Sequence, residues 1–582
     1  MRNNKEGTLA VKAKGAKSTK TTKATKPAAS KTKKVTKEVT AKSTSKTTSK
    51  SSSNGFKWGA LLTLSLATFV VLVSTTILSL SIGQFVAELK TTISGVQGAA
   101  AMYAAVLAAF VLPATKLGNN IGRKKAFAAG AVIFTLGALT ASYATNLTVL
   151  VLGLSVMQAI GAALMVPQMQ SLIANAYSGR ARTTAYGVLA AVGASAIAFG
   201  PYIGALVIDS MDWQWIFRGL ALASALVFVL GYSLKASEEK LVKEKIDTGS
   251  VWLNASGKVL IVLGAVLSTK YGFITPRQPV VLEDVSLAPF GLSISITLVA
   301  LGAILLLIGW SRAKKNEASK TPALFKASLL KNKQLSHGLA ALGLQAVVLV
   351  GAIFSIALFL QSTLGLKSVD AGSAMLPLSA AILFASFAGV NLGRKFSPKN
   401  IIGIGFLMSA AGLLLIDTVI QEGVTKADMI PGLAVIGLGL GLAVSQLQNL
   451  VISATDSKDA SDVAGLSGSV SFFGNALGTA VIGTILIVGL SFGFANALAD
   501  EGVYNAQDQE LLSSTVQTDF NNLNTAALDE LLAQVPEEVS SEIIDARNAS
   551  NFDSMKTTLG SLAAVSLIGF LVTRRLTAKK LA

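Results

Sequence analysis

The sequence predicts an all-α polytopic membrane protein, on three observations. Hydrophobic residues fill 52% of the 582 positions and charged ones 14%, where a soluble domain carries about 25% charged residues. The apolar residues gather into fourteen segments, most near the roughly 20 residues that a helix needs to cross a bilayer. Basic residues crowd into alternate connections between those segments, as cytosolic loops do. With no cysteine and one histidine, His337, the chain has no thiolate chemistry and little material for imidazole chemistry. His337 reads as an interfacial residue without a role, and no metal-ligand cluster is expected.

In chain order, residues 1–55 come first and stand apart. Lys, Thr, Ser and Ala recur there with no apolar period, so the stretch reads as a disordered cytosolic tail that buries too little surface to offset the entropy of ordering. Its first 50 residues hold 14 Lys and Arg2 against Glu6 and Glu38, a net +13 of the chain's +19. Anionic lipid headgroups are the expected partner of the tail. Nucleic acid is a poorer one, because lysine runs of this kind neutralise any polyanion without preference.

The apolar segments follow at about 57–80, 94–116, 125–145, 148–174, 184–208, 215–234, 251–274, 290–310, 338–361, 371–392, 400–420, 430–453, 465–493 and 556–575. Arg123, Lys124 and Lys125, Arg180 and Arg182, Lys240 to Lys245, Lys314 to Lys331, and Arg394 to Lys399 mark one side as cytosolic, and both termini share it. Asp209, Asp212, Glu283 and Asp284 mark the other side. The expected setting is the plasma membrane, with the lipid bilayer as the first partner. The outer connection 495–555 holds twelve carboxylates against Arg547 alone, and its apolar spacing on either side of Pro536 predicts two short amphipathic helices.

The fifth segment joins small residues to an aromatic boundary. Gly193, Ala194, Ser195 and Ala196 let a neighbouring helix approach closely. Gly200-Pro201 removes a backbone donor, and Gly204 keeps the same flank thin, which predicts a bendable hinge helix. Trp213 and Trp215 follow where the chain leaves lipid.

The sequence also repeats itself. VPQMQSLI at 166–173 returns as VSQLQNLV at 444–451, GNNIGRKKAF has a counterpart in NLGRKFSPKN, and the Gly-rich fifth segment has one in the thirteenth. These pairs predict an N-terminal six-helix half at 56–235, an insertion of two helices and a cytosolic linker at 236–335, and a C-terminal half at 336–582. Repeated halves enclosing a midplane site are the architecture of alternating-access carriers.

These motifs resemble the fourteen-span drug/proton antiporter branch of the major facilitator superfamily, the EmrB/QacA-like proteins. The family's G-P-x-x-G and W-R-W-x-F are similar to Gly200-Pro201-x-x-Gly204 and Trp213-Gln214-Trp215-Ile216-Phe217. Its Q-x-x-x-G-x-S-x-x-x-A-G and L-P are matched by Gln361, Gly365, Ser368, Ala371 and Gly372 with Leu376-Pro377. Its gate-loop motif is matched by Leu117, Gly122, Arg123 and Lys124, with Lys125 beside them and Asn119 where the family has aspartate. The resemblance implies the major facilitator fold, two six-helix halves plus two inserted helices. It implies no cofactor and a proton gradient as the energy source.

Four charged positions of that pattern are neutral here. Ser74 stands for the first-span aspartate, Ser155 for the fourth-span arginine, and Asn119 and Asn120 for the loop's aspartate and arginine. Glu88, Asp209, Asp370 and Asp417 remain near the outer boundary, and Asp417 is the coupling candidate to test first. Lys258 falls inside the seventh segment at snorkelling depth, with a role at an anionic group as the rival reading.

Amides are what the membrane does contain. Gln158, Gln168, Gln170, Gln345, Gln361, Gln446, Gln448, Asn449 and Asn475 all lie inside segments, where an unpaired amide is costly. Gln168, Gln170, Gln361, Gln446, Gln448, Asn449 and Thr75 are the substrate-cavity candidates. Gln168 and Gln170 are about 200° apart around a helix, so one of each such pair is left for holding helices together, and the spacing does not say which. The expectation is a carrier that exports amphipathic small molecules, of neutral or anionic rather than cationic charge. A proton-independent facilitator of a metabolite or lipid, and a non-transporting receptor or scaffold that uses the tail, stand beside it. An enzyme is disfavoured for want of a nucleophile with its base.

Overall fold

The computed structural model describes residues 58–76, 78, 82–177, 179–233, 245–277, 280–282, 285–287, 291–393, 395–455, 459–490 and 537–576. The basic tail and the first expected helix of the acidic loop lie outside the described residues.

Helices form at the predicted segments, and side-chain caps fix the starts of some of them. α1 is Trp58–Thr76, α2 the short Ile82–Glu88, α3 Ile93–Ile121 and α4 Arg123–Ser142. α5 covers 147–176, α6 is Gly179–Ser210, α7 Gln214–Ser233 and α8 Thr248–Tyr271. After the strands β1 (Val280–Leu282) and β2 (Val285–Leu287) come α9, Ile294–Ala318, and α10, Lys333–Ser362. α11 is Ser368–Leu392, α12 Pro398–Val419, α13 Ile430–Ile452, α14 residues 460–490 and α15 Glu537–Arg574. Thr92, Asn146 and Asn332 accept backbone N–H groups at the starts of α3, α5 and α10, supplying partners that a helix start otherwise lacks. Among the described residues thirteen helices are long and apolar enough to cross a membrane; α6, at the fifth predicted segment, is a helix of 32 residues outside that set.

Three expectations are corrected. The gate loop is not a loop: α3 runs to Ile121 and α4 begins at Arg123, with Gly122 alone between them at φ +97°, a conformation that suits glycine. The second amphipathic helix of the acidic connection is the start of α15, continuous to Arg574. A β1–β2 ribbon, pairing Val280 with Leu287 and Leu282 with Val285, lies between α8 and α9 and is the one sheet among the described residues. The hinge helix α6 runs through Gly200-Pro201 without a break. π-helical stretches lie at Val151–Gln158 of α5 and Gly478–Ile482 of α14.

Packing repeats as the sequence does. α1 packs on α6 and α7, α4 on α5 and α7, and α3 on α5; α10 packs on α14 and α15, α12 on α13 and α15, and α11 on α13 in the same pattern. The halves meet through α3 on α14 and α6 on α11, which the repeat makes equivalent. The inserted α8 and α9 pack on each other, and α8 alone reaches α3 and α14. Of those thirteen helices α9 is the least covered by protein, with 17% of its apolar stretch buried against 78% for α10.

Candidate substrate path and gate contacts

Close helix approach positions the amides. Gly130 and Gly137 of α4 lie against Gly161 and Gly153 of α5, and Gly405 and Gly412 of α12 lie against Gly439 and Gly432 of α13. A Cβ at any of these would meet backbone within 3 Å. With the two rods this close, α5 and α13 each turn a glutamine onto the neighbouring α3 or α11.

Gln168 is buried, and its Nε2 donates to the Ala114 carbonyl of α3 at 2.9 Å while the amide lies against Gly118. Gln446 is buried, and its Nε2 donates to the Gly389 carbonyl of α11 at 2.7 Å while its amide lies against Gly393. The first glutamine of each pair is therefore an inter-helix tie. The geometry repeats down to the glycine one turn beyond the accepting carbonyl.

Gln170 and Gln448 are the half-buried members. The Gln170 carbonyl accepts from Tyr186 of α6, and Gln448 Nε2 donates to Ser467 Oγ of α14 at 3.2 Å. Asn449 is exposed near the end of α13 and accepts from Ser453. Gln170 and Gln448 lie six and four residues before the ends of their helices, about 6–9 Å at helical rise. They thus sit toward the basic end of the bundle rather than its middle. Gln361 and Thr75 are at the opposite end, each one residue from its helix terminus, and bond Ala357 and Leu72 of their own helices. No hydrogen bond joins these two groups among the described residues.

Of the gate motif, Lys124 lies 5.3 Å from the Tyr232 ring centroid, Lys125 is exposed, and Leu117, Asn119 and Arg123 are half-buried around the Gly122 turn. In the hinge helix, a Cβ on Gly193 would meet Leu72 and Thr68 of α1, and Gly204 has only Ile216 at 4.0 Å. The close approach to the other half is made instead by Tyr202 and Ala205, against Gly372 of α11. Asp417 is half-buried near the end of α12, whose main partners α13 and α15 belong to its own half. Glu88 is exposed at the end of α2 and accepts from Trp213 Nε1 at 2.7 Å, and Trp213 packs on Phe85 and Phe217.

The contacts between halves contain residues that segment counting passed over. Gln97 Nε2 of α3 donates to the Thr479 and Ala480 carbonyls at 2.8 and 3.0 Å, in the π-helical stretch of α14 where ladder bonds are displaced. Toward the basic end, Lys116 of α3 stands 3.9 Å from Asp462 of α14, and Lys326 pairs with Asp459. Ser155, in the π-helical stretch of α5, donates to the Ala99 carbonyl of α3 at 2.7 Å. At the head of α8, Asp247 accepts two bonds from Arg312 at 2.9 Å each, and these hold its carboxyl well below the usual carboxylate range against the opposing effect of burial. Lys258 does not snorkel: its amine is buried between α3 and α14.

Comparison with known proteins places this geometry. Residues 64–479 match the family model described as Major Facilitator Superfamily. The chain is 26% identical over 477 residues to the probable actinorhodin transporter of Streptomyces coelicolor, covering 80% of this chain and 78% of that protein. It is 25% identical over 429 residues to the multidrug efflux pump LfrA of Mycolicibacterium smegmatis, covering 74% and 80%. A bacterial homologue of the human lysosomal transporter Spinster, solved inward-facing and unoccupied, shares the fold with a TM-score of 0.56 at 15% identity, over 91% of this chain and 99% of that one.

Proposed function

The chain belongs to the major facilitator superfamily, and from that premise we propose that it exports amphipathic small molecules from the cytosol or inner leaflet by rocking one half against the other. It is a multi-pass membrane protein, and the proposed setting is the plasma membrane with both termini cytosolic. The observation that carries the reading is the matched pair of contacts between halves, α3 on α14 and α6 on α11. Equivalent contacts on the two sides of a pseudo-two-fold are what alternating access requires. The similarity to an antibiotic transporter and a multidrug efflux pump supports export rather than uptake.

Gln170, Gln448 and Asn449 form the proposed polar edge of the cargo path, at the end where cargo enters from the cytosol. Ser74 stands where the family pattern has its embedded first-span carboxylate, the kind of group that would recognise a cation, which supports neutral or anionic cargo. Carriage of this kind breaks no covalent bond. Proteoliposomes exposed to one cationic, one neutral and one anionic fluorescent amphiphile test the reading. Protein-dependent flux of the neutral or anionic probe is expected; flux of none would sink export, and flux of the cation alone would sink the charge assignment.

A further inference from the structure

Lys258 is the eleventh residue of α8, about 15 Å along the helix from its start. Its Nζ donates to the Ala108 carbonyl of α3 at 3.1 Å and to Ser469 Oγ of α14, and Ser469 Oγ donates to the same carbonyl at 2.7 Å. One amine thus ties the inserted helix to both halves, at the contact that must part during rocking.

No carboxylate among the described residues pairs with it. On the elements packed against α8, the charged residues are Lys116 of α3, Asp462 of α14, and Arg312, Lys314, Lys315 and Glu317 at the end of α9; α8 itself adds Lys270. Asp462 faces Lys116, seven residues from Ser469 along α14, a distance of about 10 Å. Asp247, at the head of α8, is bonded by Arg312. A neutral amine has two N–H donors and an ammonium three, and the closed site offers two acceptors. The closed contact is therefore complete for the neutral form and leaves the charged form with a donor unmet and no counter-ion. A parted contact would admit water, which solvates the charge.

We propose that Lys258 is the proton-binding group of the carrier, with protonation of Nζ favouring separation of α3 from α14 and proton loss favouring their closure. By linkage, the conformation that binds the proton more tightly is the one the proton stabilises. The proposal rests on the transport reading for its purpose, but its test does not need a cargo.

The chain has no native cysteine, so spin labels at Ile121→Cys of α3 and Lys333→Cys of α10, both exposed and on opposite halves, report the separation of the halves at the basic end in the full-length protein in lipid nanodiscs. Between about pH 5 and pH 9 the ratio of long to short distances should fall by roughly tenfold or more in the otherwise native protein. Lys258→Met should abolish that dependence and keep the short population. Lys258→Arg, charged throughout, should abolish it and keep the long one. An unchanged distance in the native background, or a shift that survives in either variant, overturns the proposal, and the arginine variant decides should the methionine one not fold. Probe flux in proteoliposomes is measured separately. Absent flux with a Lys258-dependent shift removes the export reading alone, whereas flux with a pH-insensitive gap removes the proton link alone.

Discussion

The two glutamines of each repeat differ by one contact, and that contact divides their roles. Gln168 and Gln446 use their amides on backbone of the neighbouring helix, and Gln170 and Gln448 stay half-buried. Gln168→Leu removes a tie inside the membrane and should cost about 1 kcal/mol of stability, read as a lower melting temperature, with probe affinity unchanged. Gln170→Ala should weaken probe binding with melting unchanged; the opposite pattern would reverse the assignment. The alternation of the pair was legible in the sequence but its phase was not, since 200° of rotation leaves either member free to face α3. The same limit applied to Lys258, whose snorkelling depth was right for a lone helix and wrong once α3 and α14 enclosed it. Asp247 carries a pH prediction. Its carboxyl is depressed by Arg312, so the clamp between α8 and α9 is present in full above the ordinary carboxylate value of about 3.9 and lost as pH falls from there through the depressed one. The Asp247→Asn variant should melt lower than the native protein at neutral pH, and the gap should close only in strong acid.

At the scale of elements, the repeat was more legible than its octapeptide suggested. Gly405 and Gly412 stand 275 residues after Gly130 and Gly137, and each pair packs against glycines of the next helix. A Cβ on Gly137 would stand 2.6 Å from the Gln158 nitrogen, and one on Gly412 2.6 Å from the Ile436 nitrogen. Backbone cannot yield as a side-chain end can, so Gly137→Leu and Gly412→Leu should each destabilise by about 1–3 kcal/mol. Equal losses in thermal melts would show that the two halves share this contact in energy as well as in shape. The π-helical stretches were not legible, because no residue type marks a displaced ladder bond. Gly200-Pro201 signals a bendable hinge, and α6 is continuous through it, as membrane helices tolerate proline where neighbours support the freed carbonyl. Segment ends drifted for a related reason: α3 gains five residues beyond its apolar stretch because Lys116 and Asn119 face protein or solvent at a helix end and need no lipid.

For the whole molecule, the question is whether the contacts between halves are alternatives or a permanent weld, and the two faces of the bundle each offer a place to ask it. Toward the basic end, a Cβ on Gly465 of α14 would stand 3.6 Å from Thr115 Cβ of α3; at the opposite end, a Cβ on Gly372 of α11 would stand 3.2 Å from Ala205 Cβ of α6. Both are near the Cβ separation of about 3.8 Å that a disulfide adopts. The chain brings no cysteine of its own to confuse the pairing. In a carrier that rocks, each end must open once per cycle, so Thr115→Cys with Gly465→Cys, and separately Ala205→Cys with Gly372→Cys, should each arrest probe flux on oxidation and restore it on reduction. The single-cysteine variants control for the glycine substitutions themselves. Arrest by one lock and not the other would mean that only one end moves, which a pore with a single gate could do and a rocking pair of halves could not. Full flux with both disulfides formed would leave the repeat as architecture without motion, and the cargo would have to cross by some route other than the space between the halves.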